Sequence, residues 1–176
     1  PTSGKIYLDN TDITDLSVTE RARQGISFAF QQPVRFKGIT VKDLIVLASG
    51  NPKLSTVGAC EYLSEVGLCA RDYINREVDS SLSGGELKRI EIATVIARDT
   101  RLSVFDEPEA GIYLCSFNNL IRVFEKMHQE KERSIIIISH QERILNIADE
   151  IVVIADGTVQ KKGSKEEILP GLLEAA

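Results

Sequence analysis

Four short stretches carry side chains able to do chemistry together: Gln31 ahead of Pro33, Ser83-Gly84-Gly85-Glu86, Phe105-Asp106-Glu107-Pro108, and Ser139-His140. Asp106 and Glu107 end an apolar run, and Pro108 then stops the backbone. A carboxylate at a buried strand end can hold Mg2+, usually through water, because Mg2+ takes hard oxygen ligands. Its neighbour points elsewhere and can orient or deprotonate a water. A solvated acidic loop is the plainer alternative. His140 follows Ile135-Ile136-Ile137-Ile138-Ser139. A histidine leaving a central strand can donate a hydrogen bond to a phosphate, or it can simply cap or pack. Gln31 offers a neutral oxygen to a metal or a water. Ser83 and Glu86 fit the S-x-x-E capping box, which accounts for a helix start. The box does not require Gly84-Gly85, and glycines weaken helices. Free N–H groups with no Cβ in the way make an anion site that the helix dipole favours, and Ser83 adds a hydroxyl.

Groups so distant in sequence meet only if the elements that carry them end at one place. The pattern predicts strands at Ile6–Leu8 and Ile26–Phe30, with a short helix at Val18–Gln24 between them. A mostly helical stretch follows: Val41–Ser49, Ser55–Val66, a shorter piece at Arg71–Arg76, and Ser83–Arg98. The chain then returns to β/α alternation. It has a strand at Leu102–Phe105 and a helix at Leu114–Lys131, and the isoleucine run reads as a strand covered on both faces. A helix at Gln141–Ala148 and a buried strand at Ile151–Ala155 come next. Asp156-Gly157 turns the chain into Thr158–Lys161, and Ser164 caps a last helix over Lys165–Leu173. Strands alternating with helices imply an α/β sheet, whose ligands sit at the carboxyl ends of the strands. Gln31, Asp106-Glu107 and Ser139-His140 all fall at such ends.

The 176 residues are 43% hydrophobic and 27% charged, enough for one domain with a real core. A net charge of −5 argues against nucleic acid or an anionic membrane surface as the main partner. No apolar run approaches the roughly 20 residues that span a bilayer. No signal-peptide pattern opens the chain. Cys60, Cys69 and Cys115 match no common zinc or redox spacing and read as ordinary reduced thiols of a cytoplasmic protein.

In this order and spacing the stretches resemble an ABC-type ATPase domain. Leu82–Ala93, LSGGELKRIEIA, resembles the signature motif, and Leu102–Pro108, LSVFDEP, resembles the Walker B strand. Phe30–Pro33 resembles the Q-loop, Glu109–Leu114 lies where the D-loop should be, and Ile135–His140 resembles the switch-histidine strand. The resemblance implies a P-loop NTPase-like α/β core with a mainly parallel sheet and an N-terminal antiparallel β portion. The core would comprise residues 1–32 and 98–163, with a helical subdomain at 33–97 and a C-terminal helix at 164–176. It implies ATP and Mg2+ as ligands. Glu107 would be the general base, Asp106 would hold Mg2+ through water, and Gln31 would touch Mg2+ or the attacking water. His140 would contact the γ-phosphate. Ser83, Gly84 and Gly85 would cover the γ-phosphate of an ATP bound to the partner subunit of a head-to-tail dimer. Glu86 in place of the usual glutamine, with Lys88-Arg89, brings the chain close to the ATPase of the SUF iron–sulfur cluster assembly system and its archaeal and clostridial relatives. That family works with a soluble scaffold protein.

Two features depart from the pattern. The phosphate-cradling loop G-x-x-x-x-G-K-[ST] is absent. Gly4-Lys5 lacks the upstream glycine and the following hydroxyl residue and enters a strand. The expectation is a chain truncated ahead of Pro1, binding ATP weakly or not at all by itself and inactive without the loop. Tyr113 stands where the D-loop usually has an aspartate. Two alternative functions are an ATP-binding subunit paired with a membrane permease and a degenerate, non-hydrolysing regulatory subunit.

Overall fold

The computed structural model describes residues 1–129 and 133–174. Its centre is a three-stranded parallel sheet of β3 (Ile26–Ala29), β6 (Leu102–Asp106) and β7 (Ser134–Ile138), in the order β3-β6-β7. The register sets Ala29 beside Phe105 and Phe105 beside Ile137, so the three strands stop level with one another. Their carboxyl ends lead into Gln31, Glu107 and His140. The parallel α/β architecture expected from the sequence is the one observed.

The two faces of this sheet differ. Ala29 and Phe105 are wholly buried on one face, where Phe105 meets Phe124 of α6 (Leu114–Gln129) edge to face at 4.9 Å. Burying one such ring contributes about 2 kcal/mol. Ser103 sits on that face as well. Its hydroxyl joins Ser27 at 3.1 Å, and Ser27 joins Thr100 at 2.6 Å, so the polar atoms are paired. On the other face Phe28, Ile136 and Ile138 are 42%, 52% and 47% exposed. The isoleucine strand is therefore covered on one side, not on both as its composition predicts. Likewise β8 (Glu150–Ala155) buries Ile151 but exposes Val152 and Ile154.

Around the sheet lie α5 (Gly84–Arg98), packed over β3, and α2 (Val41–Ser49) and α3 (Thr56–Glu65), packed on α5. Leu87, Ile90, Ala93 and Ala97 of α5 join Val41, Ile45, Ala59 and Leu63 in one core. The helical stretch also holds a strand pair absent from the sequence expectation: β4 (Phe36–Thr40) runs antiparallel to β5 (Glu77–Val78). The partners lie some forty residues apart and β5 has two residues, so no local alternation announces them. The piece expected at Arg71–Arg76 is α4 (Ala70–Tyr73).

The chain opens on a hairpin, β1 (Tyr7–Leu8) with β2 (Thr11–Asp12), before α1 (Val18–Arg23). It closes with α7 (Glu142–Leu145), the β8–β9 hairpin (β9, Thr158–Ser164) and α8 (Lys165–Leu173). Asp156 and Gly157 both take positive φ, 51° and 72°, as a tight hairpin turn demands. The helix expected to run to Lys131 is described to Gln129, and residues 130–132 and 175–176 lie outside the described residues. Cys60 and Cys69 are free thiols; the Cys115 side chain lies outside the described part. Among the described residues no helix is long and apolar enough to cross a membrane.

Candidate functional site

Level strand ends place Gln31, Glu107 and His140 together although 109 positions separate the outermost two, 140 minus 31. The Gln31 amide donates from Nε2 to Glu107 Oε2 at 2.7 Å. His140 Nε2 stands 3.6 Å from Glu107 Oε1. Glu107 is thus the hub. Its own N–H donates to the Ile138 carbonyl at 2.9 Å, continuing the β6–β7 ladder one residue past the strand. Its φ of 42° is left-handed, an uncommon state for a residue with a Cβ. That twist turns Glu107 away from the run of the strand and separates it from Asp106. His140 is 85% exposed and the Glu107 side chain 30%, so solvent reaches the cluster.

Asp106 forms no side-chain hydrogen bond among the described residues, and the Gln31 amide spends its N–H2 on Glu107 and keeps its carbonyl oxygen. These are two hard oxygen donors at one sheet end, the donor type Mg2+ takes when water and phosphate complete its shell. Among the described residues no group of three His, Cys, Asp or Glu side chains forms a metal cage. The donor set fits a magnesium nucleotide better than a tightly held resident ion.

Lys88 ties the arrangement together, and the sequence reading missed it. It lies on α5 amid Glu86, Arg89 and Glu91 and enters the sequence reading only through the resemblance, yet it is 1% exposed. Its ammonium donates to the carbonyls of Phe30, Gln31 (3.4 Å) and Asp106 (3.0 Å), with Glu91 Oε2 at 3.8 Å. One cation therefore binds the backbone of the Q-loop to the backbone of the acidic strand end. Burial pulls its pKa down, while Glu91 and then Asp106 oppose the shift. Burial pushes the Glu91 carboxyl up, against a hydrogen bond from the Phe30 N–H. Glu109 is a second missed residue. It accepts from the Ser139 hydroxyl at 2.6 Å, and Ser139 accepts from the Gln141 N–H, which fixes the turn that carries His140.

Ser83, Gly84 and Gly85 lie elsewhere: among the described residues no hydrogen bond or ion pair joins them to Gln31, Glu107 or His140. Ser83 is the N-cap of α5 in a reciprocal capping box with Glu86. The two glycines differ. A Cβ on Gly84 would meet nothing within 4 Å, whereas one on Gly85 would collide with the Gly111 carbonyl oxygen. Gly85 therefore answers to the backbone at Gly111-Ile112 of the same chain, and only Gly84 is left bare towards open space. This refines the sequence reading, in which both glycines served a phosphate. Tyr113, just beyond that contact, is 83% exposed.

A parallel α/β sheet whose strand ends carry an acid pair, a glutamine and a histidine is an arrangement for phosphoryl transfer. A family model described as ABC transporter matches residues 1–110. An uncharacterized ABC transporter ATP-binding protein of Methanocaldococcus jannaschii is 38% identical over 96% of this chain and 69% of its own length. The lipopolysaccharide export system ATP-binding protein of Acidithiobacillus ferridurans is 33% identical over 96% of this chain and 70% of its own. A dimeric structure of a bacterial ABC transporter cassette matches the fold with a TM-score of 0.81 at 22% identity, covering 94% of this chain and 75% of that one. The chain belongs to the ABC transporter family and is one of its ATPase domains.

Proposed function

We propose that this protein is the ATP-hydrolysing subunit of an ABC transporter, acting at sites shared by two head-to-tail copies. The observation that carries the reading is the cluster at the strand ends, where Glu107 is held by Gln31 and faced by His140. On this reading Glu107 takes a proton from the attacking water, and Gln31 aims that water. His140 donates a hydrogen bond to the departing phosphate. Asp106 and Gln31 would hold Mg2+, which would supply neutralisation of phosphate charge when bound. Ser83 and the bare backbone at Gly84 close over the ATP of the partner copy. Positioning and charge stabilisation then supply most of the acceleration.

No phosphate loop of the G-x-x-x-x-G-K-[ST] type occurs in these 176 residues, so hydrolysis is proposed only of a full-length product that supplies such a loop. The chain by itself is expected to bind Mg-ATP weakly or not at all, and micromolar binding by calorimetry would overturn that expectation. The deciding experiment is steady-state ATP hydrolysis by the full-length product with Mg2+. No turnover at saturating Mg-ATP, or turnover unchanged in Glu107→Gln, refutes the function.

Residues 33–97 are proposed as the subdomain that docks the partner, a membrane permease, from the cytoplasmic side. A second reading keeps the same chemistry but replaces the permease with a soluble scaffold of the SUF iron–sulfur assembly type. Its motive is the sequence resemblance carried by Glu86 with Lys88-Arg89. Affinity capture from cell extract separates the two: co-purification of a membrane permease supports the first, of soluble scaffold proteins the second.

A further inference from the structure

The sheet lets go of the chain one residue before Gln31. In the parallel ladder the Leu102 N–H donates to the Gly25 carbonyl at 3.0 Å, and the register runs on to Ala29 beside Phe105. One more step of that ladder would bring the Gln31 N–H to the Asp106 carbonyl. Among the described residues this bond is not made, and the Lys88 ammonium takes the Asp106 carbonyl at 3.0 Å. Nor does the Phe30 ring anchor the exit of β3. It is half-exposed and leans on Phe28, with centroids 4.9 Å apart.

Helix α5 takes over both polar backbone groups of Phe30. The Phe30 N–H donates to Glu91 Oε1 at 3.2 Å, and the Phe30 carbonyl accepts from Lys88. Lys88 and Glu91 stand three residues apart and so share one face of α5. Together they pin the two peptide planes that flank the Phe30 Cα, and with them the direction in which the chain leaves for Gln31. Lys88 serves three carbonyls, whereas the N–H end rests on Glu91 alone. Among the described residues, the only other hydrogen bonds reaching positions 31–35 are the Lys88 donation to the Gln31 carbonyl and the bond from the Gln31 amide to Glu107. The second oxygen of Glu91, Oε2, is buried and has no hydrogen-bond partner among the described residues. A buried carboxylate with one oxygen idle is costly, so packing alone does not account for a glutamate here.

We propose that Glu91 is a positioning residue for Gln31: by holding the Phe30 N–H while Lys88 holds the Phe30 carbonyl, it aims the Gln31 amide at Glu107. The inference rests on the catalytic cluster proposed above.

The test measures turnover at saturating Mg-ATP in a full-length product that supplies a phosphate loop. Gln31→Ala is the benchmark and is expected to lower turnover about tenfold, the worth of one hydrogen bond to a charged group. Glu91→Met keeps the length of the side chain, deletes the acceptor and is expected to lose a similar factor. In a Gln31→Ala background Glu91→Met is expected to cost no more than about twofold further. Glu91→Gln keeps the acceptor oxygen and replaces only the idle one, so turnover should stay within about threefold of the parent. Should Glu91→Met not fold, Glu91→Asp, one methylene too short to reach Phe30, takes its place in the same comparison. A second readout needs no nucleotide. By NMR of this chain, the Gln31 side-chain amide protons should keep their position in Glu91→Gln and move in Glu91→Met towards that of Glu107→Ala, where their acceptor is gone. The same loss from Glu91→Met in both backgrounds overturns the inference, as do equal losses from Glu91→Gln and Glu91→Met or Gln31 amide protons that do not move. Unchanged turnover in Glu91→Met beside a weakened Gln31→Ala overturns the inference alone. Unchanged turnover in Gln31→Ala overturns the proposed role of Gln31, and the inference with it.

Discussion

The strand-end cluster and the signature turn both sit where regular structure stops, yet they dispose of their polar groups in opposite ways. At the strand ends the groups turn on one another. Gln31 bonds Glu107, His140 faces it, and Lys88 pins the backbones that carry them. At the turn the local bonds are spent on capping, and Ser83 and Gly84 are left facing outward. One region holds the Glu107 carboxylate in place within the chain; the other leaves exposed backbone at Gly84. On the proposed reading, the contrast separates chemistry organised within one copy from recognition of a phosphate held by a second.

The contrast breaks most visibly through Glu107→Gln. On the proposed reading, in which Glu107 is the general base, this change in the full-length product should lower turnover by about 10²- to 10⁴-fold. ATP-driven association, which depends on the turn, should remain. A variant losing both would show that the two regions are not separable. Next comes Lys88→Met, which keeps the length of the buried stem and deletes the cation. It strands three backbone carbonyls and Glu91, so about 3 kcal/mol of stability should go, measured by urea denaturation of this chain. A loss below about 1 kcal/mol would mean that Lys88 does not brace the cluster. The two glycines sharpen the comparison inside the turn. Gly85→Ala should cost about 1–3 kcal/mol through its collision with Gly111, while Gly84→Ala should fall within about 0.5 kcal/mol of the parent.

The smallest effect is one of pH. Glu86, held low first by Tyr73, has a folded pKa below its unfolded one. Its contribution is therefore whole above the ordinary glutamate range and is lost as pH falls through the folded value. The stability gap between the parent and Glu86→Gln should stay constant near pH 7 and close towards about pH 3. A gap that widens on acidification would reverse the assignment.

The sequence revealed the strand ends well, because an apolar run cut off by acids and proline, or by Ser-His, marks both the strand and its end. It also located the α5 start at Ser83, since a capping box is a local code. Lys88 escaped because burial of a cation depends on carbonyls contributed from Phe30 and Asp106, which no spacing along α5 encodes. The β4–β5 pair escaped for the same reason: its partners are distant in the chain. The open sheet face was misjudged because four isoleucines in a row state that a strand is apolar, not which neighbours cover it. For Gly85 the residue was noticed and its cause was not, since the clash with Gly111 exists only in three dimensions.

The left-handed backbone of Glu107 has a bearing on sequence change. Glycine adopts that conformation without penalty, whereas glutamate does so at a cost of about 1 kcal/mol. Screening this protein for thermal tolerance alone would thus reward drift to glycine at the carboxylate proposed as the base. The position is a point of conflict between robustness and activity, and any stabilised version obtained without a selection for turnover should be sequenced there first.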